Sequence, residues 1–284
     1  MSRRLLVMTR GDDIRAAVRE SQSARQTVGF VPTMGALHEG HLSLVDAARR
    51  ECDRVVVSIF VNPTQFGPHE DLDGSPRPLE RALERLPGHS GDWAFVPPVD
   101  QMYPTGFDSF IDVGAVAKPW EGEARPGHFR GVATVVMKLL QLVPADRGYF
   151  GRKDYQQTLV VRQMVADFHV PTEIRVCPIV RDPDGLALSS RNVYLSADQR
   201  VQALVLRRSL GLAEQLHGAG ERGVETIRRR MLAEIDLVSG VDVEYIAFMK
   251  EGTVEEVEVI DGPTTVAIAA RVGSLRLIDN VCLS

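Results

Sequence analysis

Two histidines three positions apart, His38 and His41, close the stretch Thr33-Met-Gly-Ala-Leu-His-Glu-Gly-His41. The whole chain has seven histidines, so a pair here asks for a reason. Zinc-binding helices of the H-E-x-x-H kind set their histidines at i and i+4, on one face. Here the spacing is i and i+3, and His69, His89 and His128 are scattered over segments that read as loops. A metal site is therefore disfavoured. An anion site fits better. The stretch follows a β-type segment (27–33) and leads into a helical one, and a strand-to-helix turn aims free N–H groups and the positive helix end at a ligand. Gly35 and Gly40 permit close backbone approach. Two imidazoles at the helix mouth can hydrogen-bond a phosphate, neutral or protonated. This stretch carries neither GxxxxGK[ST] nor GxGxxG, so it is not a P-loop, and it gives dinucleotide binding no support.

The surrounding elements must hold that turn. The chain has 284 residues, 44% apolar and 25% charged, with a formal charge of -5. That suits one large or two modest soluble domains, and it argues against a nucleic-acid coat or a membrane-surface protein. No apolar run reaches the roughly 18 residues of a spanning helix, and MSRRLLVMTR does not read as a signal peptide. Cys52, Cys177 and Cys282 lie far apart without a CxxC pair, as expected of a reducing cytoplasm without a disulfide framework or zinc ribbon.

Thr9 and Asp12 resemble a capping box opening an amphipathic helix to about Glu20. Residues 27–33 read as a buried strand, and Leu42, Val45 and Ala48 then recur at helical spacing. The β-branched run 54–62 predicts a strand covered on both faces. A helix is expected over 76–86, and strands over 93–98 and 107–113. Helix 127–143, strand 148–151, helix 153–169 and strand 173–180 follow. Such alternation predicts an α/β domain, a parallel sheet with helices on both faces, whose ligands bind beyond the carboxyl ends of the strands. The pattern changes near 181–187. Ser196 with Gln199 makes a second capping box, opening an Arg-rich helix to about Gly218, and a further helix covers 221–237. Strand-like segments at 243–250, 254–260, 265–272 and 274–281, separated by turn signals, complete a smaller α+β unit with an antiparallel sheet. The predicted domains are 1–180 and 181–284.

Four blocks now carry a resemblance. HEGH resembles the HIGH signature of the nucleotidyltransferase superfamily. PTMGALHEGH (32–41), VSIFVNPTQFGPHEDLD (57–73), FGRKDYQQ (150–157) and LALSSRN (186–192) match, in order and spacing, the blocks of the pantoate–β-alanine ligase family, and the ending ARVGSLRLIDNV is similar too. The resemblance covers nearly the whole chain. It implies a Rossmann-like nucleotidyltransferase domain with a smaller C-terminal lid domain, and a cytoplasmic homodimer that binds neither nucleic acid nor membrane. The implied reaction uses ATP with Mg2+. The carboxylate of (R)-pantoate attacks the α-phosphate to give pantoyl adenylate and pyrophosphate, and β-alanine then displaces AMP.

By the same resemblance, Met34, Gly35, Ala36, Leu37, His38, Glu39, Gly40 and His41 form the ATP loop, with His38 and His41 on the triphosphate and His41 as proton donor. Gln65 and Gln157 are the pantoate ligands, Gln65 also lying near the β-alanine site. Gly151, Arg152, Lys153 and Asp154 are the second ATP segment, Lys153 a point charge for phosphate and Asp154 a ribose ligand or an orienter of its neighbours. Val180 contacts adenine through its backbone. Leu188, Ser189, Ser190 and Arg191 match the counterpart of the KMSKS loop, gripping the β- and γ-phosphates, with Arg191 counted as catalytic beside His38, His41 and Lys153. The metal ligands are not indicated. Each residue alone has an ordinary alternative: a helix cap, a turn glutamine, a surface glutamine, a solvated charge pair or an interdomain turn. Arg152 stands where the family usually has Glu, Leu188 where it has Met, and Ser75 where it has Tyr; none removes a residue with a chemical role. Three other functions compete. The two glutamine blocks speak against a nucleotidyltransferase making a CDP-alcohol. Intact His41, Lys153 and Arg191 speak against a silent nucleotide-binding protein. The histidine spacing speaks against a zinc hydrolase.

Overall fold

The computed structural model describes residues 5–65, 79–86 and 91–284. His69, Ser75, His89, the end of the second block (66–73) and the first residues of the helix expected at 76–86 lie outside them. The Cα trace divides into two compact units, Met1–Arg152 with Val160–Pro178, and Lys153–Leu159 with Ile179–Ser284.

In the first unit six strands pair in one parallel sheet: β1 (Leu6–Met8), β2 (Val28–Thr33), β3 (Arg54–Ile59), β4 (Trp93–Phe95), β5 (Arg147–Gly151) and β6 (Glu173–Cys177), in the order β1-β4-β3-β2-β5-β6. The residues of these strands alternate between two cores. Val28, Phe30, Val56 and Phe150 join α1 (Gly11–Ser23), α6 (His128–Leu142) and α7 (Tyr155–Asp167) in one cluster. Val31, Val55, Val57 and Tyr149 join α2 (Glu39–Glu51) and α3 (Leu79–Arg85) in the other. Burial on both faces is why the strands are runs of β-branched residues rather than alternations. The order reverses at β2, which has β3 on one side and β5 on the other. That makes the β2/β5 boundary the topological switch point, where ligands of doubly wound sheets bind.

Two aspartates pin the opposite, amino-terminal edge. Asp146 donates from its N–H to Val28 O and accepts from Val28 N–H through Oδ2 at 2.7 Å, while its carbonyl accepts from Glu173 N–H. Asp92, only 4% exposed, accepts from Arg49 Nη1 at 2.7 Å, Arg54 Nη1 at 3.3 Å and Val55 N at 2.9 Å, and its carbonyl receives Leu6 N–H.

Several sequence expectations need correction. Thr9 does not cap α1. The cap position is Arg10, without a side-chain bond, and the first N–H is served from afar by Gln101 Oε1 on Gly11 N at 3.1 Å. Residues 107–113 form no strand; Phe107 instead stacks edge-on with Tyr103 and with Phe110, while Arg130 and Lys138 of α6 lie over the phenylalanine rings. β3 and β6 stop earlier than expected, and His128 opens α6 rather than sitting in a loop. The short β1 has no counterpart among the expected strands.

The second unit is a three-stranded antiparallel sheet, β7 (Val241–Lys250), β8 (Thr264–Val272) and β9 (Leu275–Leu283), in that order, with α8 (Ala197–Gly218) and α9 (Val224–Asp236) sharing its core. The Ser196–Gln199 capping box forms as expected. Segment 254–260 makes only isolated bridges. Its backbone bonds are divided between β7 and the residues around the start of α9, so no ladder develops.

Asp92→Ala removes the shared acceptor of two arginines and a strand N–H. It is expected to lower the unfolding free energy by about 3 kcal/mol, read as a lower guanidinium midpoint at unchanged slope. An unmoved midpoint would show that water serves those donors equally well.

Candidate active site

The residues with chemical potential in the first unit gather where β2, β3 and β5 end. Thr33, the last residue of β2, donates from Oγ1 to Ser58 O at 2.7 Å, and its carbonyl accepts from Phe60 N–H at 3.0 Å. The loop then turns at Gly35, whose φ of +110° is a conformation L side chains rarely adopt, and a Cβ there would lie 3.0 Å from Ile59 Cγ2. His38 is the N-cap of α2. Its Nδ1 accepts from Gly40 N–H at 3.1 Å, and its own N–H donates to His41 Nδ1 at 3.4 Å. The rings lie 4.1 Å apart between centroids, tilted by 41°.

This is a capping box built from two imidazoles. It has a chemical consequence. A neutral ring whose Nδ1 accepts carries its proton on Nε2, so both rings are held as Nε2–H donors at the positive end of a helix. Arg85 of α3 steadies the loop by donating from Nη1 to Leu37 O at 2.7 Å and pairing through Nη2 with Glu39. The negative charge at this helix start is thereby matched within the protein.

Gln65 ends a short 3-10 turn, Pro63–Gln65, that follows β3. Its Oε1 accepts from Asn62 Nδ2 at 3.1 Å, and its Nε2 reaches Met34 Sδ of the loop. Met34 and Gln65, far apart in sequence, are thus neighbours. The turn lies directly on α6: Asn62 Nδ2 also donates to Gly131 O at 3.1 Å, and a Cβ on Gly131 would sit 2.3 Å from Thr64 O. Only glycine allows that approach. Gly151, at the end of β5, and Arg152 after it complete the candidate residues of this unit.

In the second unit Lys153 is not the first residue of a helix, as expected, but lies in a 3-10 turn (Arg152–Asp154) ahead of α7. Its Nζ is 3.9 Å from Asp154 Oδ1, and its carbonyl accepts from Asn280 Nδ2 at 3.1 Å. Gln157, half-buried, lies in the first turn of α7. The residue before Asn280 on β9, Asp279, is 4% exposed and takes Arg181 Nη1 and Nη2 at 2.6 and 2.9 Å. Arg181 roots a small hairpin that turns at Gly185 (φ +94°) and returns with Leu188 N donating to Val180 O at 3.0 Å. Two adjacent residues of β9 therefore hold both Lys153 and the root of the Leu188–Arg191 loop. In that loop Ser189 Oγ accepts from Arg191 N at 3.2 Å and caps the turn Ser190–Tyr194.

Sequence reasoning finds no role for Asn62, Arg85, Tyr103, Asp279 or Asn280. Asn62 lies inside one of the four blocks but reads as a turn residue, and Asp279 and Asn280 lie inside the similar ending. Nothing local marks Arg85 or Tyr103.

Comparison with known proteins agrees with this fold. A family model described as pantoate-beta-alanine ligase matches residues 6–282. The pantothenate synthetase of Roseiflexus sp. (strain RS-1) is 52% identical over 94% of this chain and 97% of its own length. That of Thermotoga petrophila is 50% identical over 96% and 97%. The crystal structure of pantothenate synthetase from Thermus thermophilus superposes with a TM-score of 0.92 at 45% identity, covering 97% of this chain and 98% of that one. Pantoate-beta-alanine ligase from Francisella tularensis, solved with β-γ ATP and β-alanine, gives a TM-score of 0.80 at 34% identity over 98% and 97%.

The imidazole cap separates two roles of His38. Asparagine is a good N-cap residue and alanine a poor one, so His38→Ala is expected to lose about 1 kcal/mol of stability while His38→Asn stays within about 0.5 kcal/mol of the parent. Equal losses in chemical denaturation would remove the cap from His38's duties.

Proposed function

The chain belongs to the pantoate–β-alanine ligase family, and from that premise we propose how its residues divide the reaction. It is an AMP-forming ligase that condenses (R)-pantoate with β-alanine using ATP, through pantoyl adenylate, releasing AMP and pyrophosphate. The first step brings a carboxylate onto a phosphate, one anion onto another. Such a step needs donors and positive charge held in place before the reactants meet.

The observation that supports the assignment most is the pair of imidazoles capping α2 at the carboxyl end of β2, beside the turn that bears Gln65. Residues Met34–His41 cradle the triphosphate. His38 and His41 donate hydrogen bonds to it from Nε2, and His41, once its ring is protonated and released from the Nδ1 bond to His38 N–H, gives the proton that the departing pyrophosphate takes up. Gln65 and Gln157 bind pantoate, Gln65 on the side where β-alanine enters. Lys153 and Arg191 supply positive charge for the transition state, Ser189 and Ser190 donate to phosphate oxygens, Asp154 serves the ribose, and the backbone of Val180 serves adenine. Gly151 and Arg152 carry the chain into this segment. Closure of 181–284 as a lid would keep water from the adenylate, which otherwise hydrolyses.

Mg2+ is expected to accompany ATP at the triphosphate. Bound there, it would neutralise phosphate charge. A cytoplasmic homodimer completes the reading. Among the described residues no helix is long and apolar enough to cross a membrane, and sedimentation of the purified chain measures the dimer.

Pantoate-dependent exchange of pyrophosphate into ATP, followed by AMP release on addition of β-alanine, is the expected behaviour. Exchange that ignores pantoate would overturn the assignment. His41→Ala is expected to abolish adenylate formation while ATP still binds measurably; wild-type turnover in that variant would take His41 out of the mechanism.

A further inference from the structure

We propose that Tyr103 and Asn62 form a polar relay that fixes the side-chain amide of Gln65 with its NH2 group outward, so that Gln65 meets pantoate only as a hydrogen-bond donor. The inference rests on the assignment of Gln65 to pantoate.

An unconstrained glutamine amide is ambiguous. It can donate from Nε2 or accept at Oε1, and pantoate carries both a carboxylate and hydroxyls. Here the ambiguity is removed in two steps. Asn62 is 1% exposed, and every polar atom of its side chain has a partner of known kind. Thr64 N–H, which can only donate, lies 3.3 Å from Oδ1, and Gly131 O, which can only accept, lies 3.1 Å from Nδ2. Tyr103 Oη donates to Oδ1 at 2.7 Å, the shortest bond of the set, and Thr64 Oγ1 reaches the same oxygen at 3.0 Å. The carbonyl end of Asn62 is thus surrounded by donors, and its NH2 must face the other way.

That NH2 group lies 3.1 Å from Gln65, so the atom it meets is Oε1. The acceptor end of Gln65 is occupied, and Nε2 is the end turned toward Met34 Sδ. A thioether is a weak acceptor, which a substrate carboxylate displaces readily. Tyr103 can keep this role across the working pH range, because burial raises its pKa further above neutrality. Its ring is held by Phe60 and Phe107 at 6.2 and 5.1 Å, so the hydroxyl is aimed by packing.

Tyr103 and Asn62 are positioning residues, and the test separates positioning from general support. Tyr103→Phe keeps the ring and removes the hydroxyl. It is expected to raise KM for pantoate about fivefold, the size of one ordinary hydrogen bond, and to leave KM for ATP within about twofold. Asn62→Asp cannot donate to Oε1 and inverts the preferred orientation of Gln65, so pantoate KM should rise further, by about fiftyfold or more, with ATP affinity again held. Pantoate KM unchanged in Tyr103→Phe, or both KM values rising together, would overturn the relay. If Asn62→Asp fails to fold, Tyr103→Phe alone decides. An unmodified chain without pantoate-dependent exchange would instead refute the assignment of Gln65 to pantoate.

Discussion

The parallel ladder that binds β2 to β3 on one side and β5 on the other is the constraint on which the first unit's site depends. In a parallel pair the carboxyl ends point the same way, and the registers Val28↔Arg54 and Gly29↔Arg147 start the three strands level. Asp146 and Asp92 hold those starts from the amino-terminal edge with side-chain and backbone bonds. Because the strands begin together and run for similar lengths, Thr33, Ile59 and Gly151 end together. The histidine loop, the glutamine turn and the start of the Lys153 segment follow directly from those three ends. A one-residue slip of β2 would carry Phe30 and Val31 to the wrong cores and move the imidazole cap with them. Register and site geometry are therefore specified by the same burial pattern.

Much of this was legible in the sequence because it is local. Unbroken β-branched runs, helical recurrence after His41 and the Ser196–Gln199 pair each depend on residues a few positions apart. The imidazole pair is legible for the same reason, since its bonds span two and three residues. The failures are long-range. Gln101 does the capping that Thr9 was expected to do, across 90 residues. Residues 107–113 read as a short strand, yet their aromatic side chains pack with α6 and Tyr103 instead of joining a sheet edge. β1 has three residues, too few for any period. Tyr103 meets Asn62 across 41 residues and Asn280 meets Lys153 across 127, and no local pattern encodes either.

The second unit uses a different device. An antiparallel sheet does not gather strand ends as a parallel one does, so position comes from side chains. Asp279 and Asn280 occupy successive places on β9, and successive residues point to opposite faces. One reaches the guanidinium of Arg181 and the other the carbonyl of Lys153. Both are nearly inaccessible to water, so each bond is made in a medium where an unmet polar group is strongly destabilising. The hairpin from Val180 to Leu188 and the turn at Lys153 are in this way referred to one strand, although they lie far apart along the chain.

A common rule joins the polar groups of both units. Imidazole, amide and hydroxyl are amphoteric: each can donate or accept. In this chain the accepting atom is taken by an internal donor. Gly40 N–H and His38 N–H occupy the Nδ1 atoms of His38 and His41, Asn62 occupies Oε1 of Gln65, and Arg191 N–H occupies Oγ of Ser189. Each of these groups also carries a hydrogen of the kind an anion accepts. Carboxylate and phosphate accept and do not donate, so a group sorted in this way is ready for either before it arrives. An unsorted amide or imidazole would first have to turn or change tautomer, and the free energy of that step would be subtracted from binding. The carboxylate at the helix mouth, Glu39, follows the same logic from the other side. It has no hydrogen to give, and its charge is matched by Arg85.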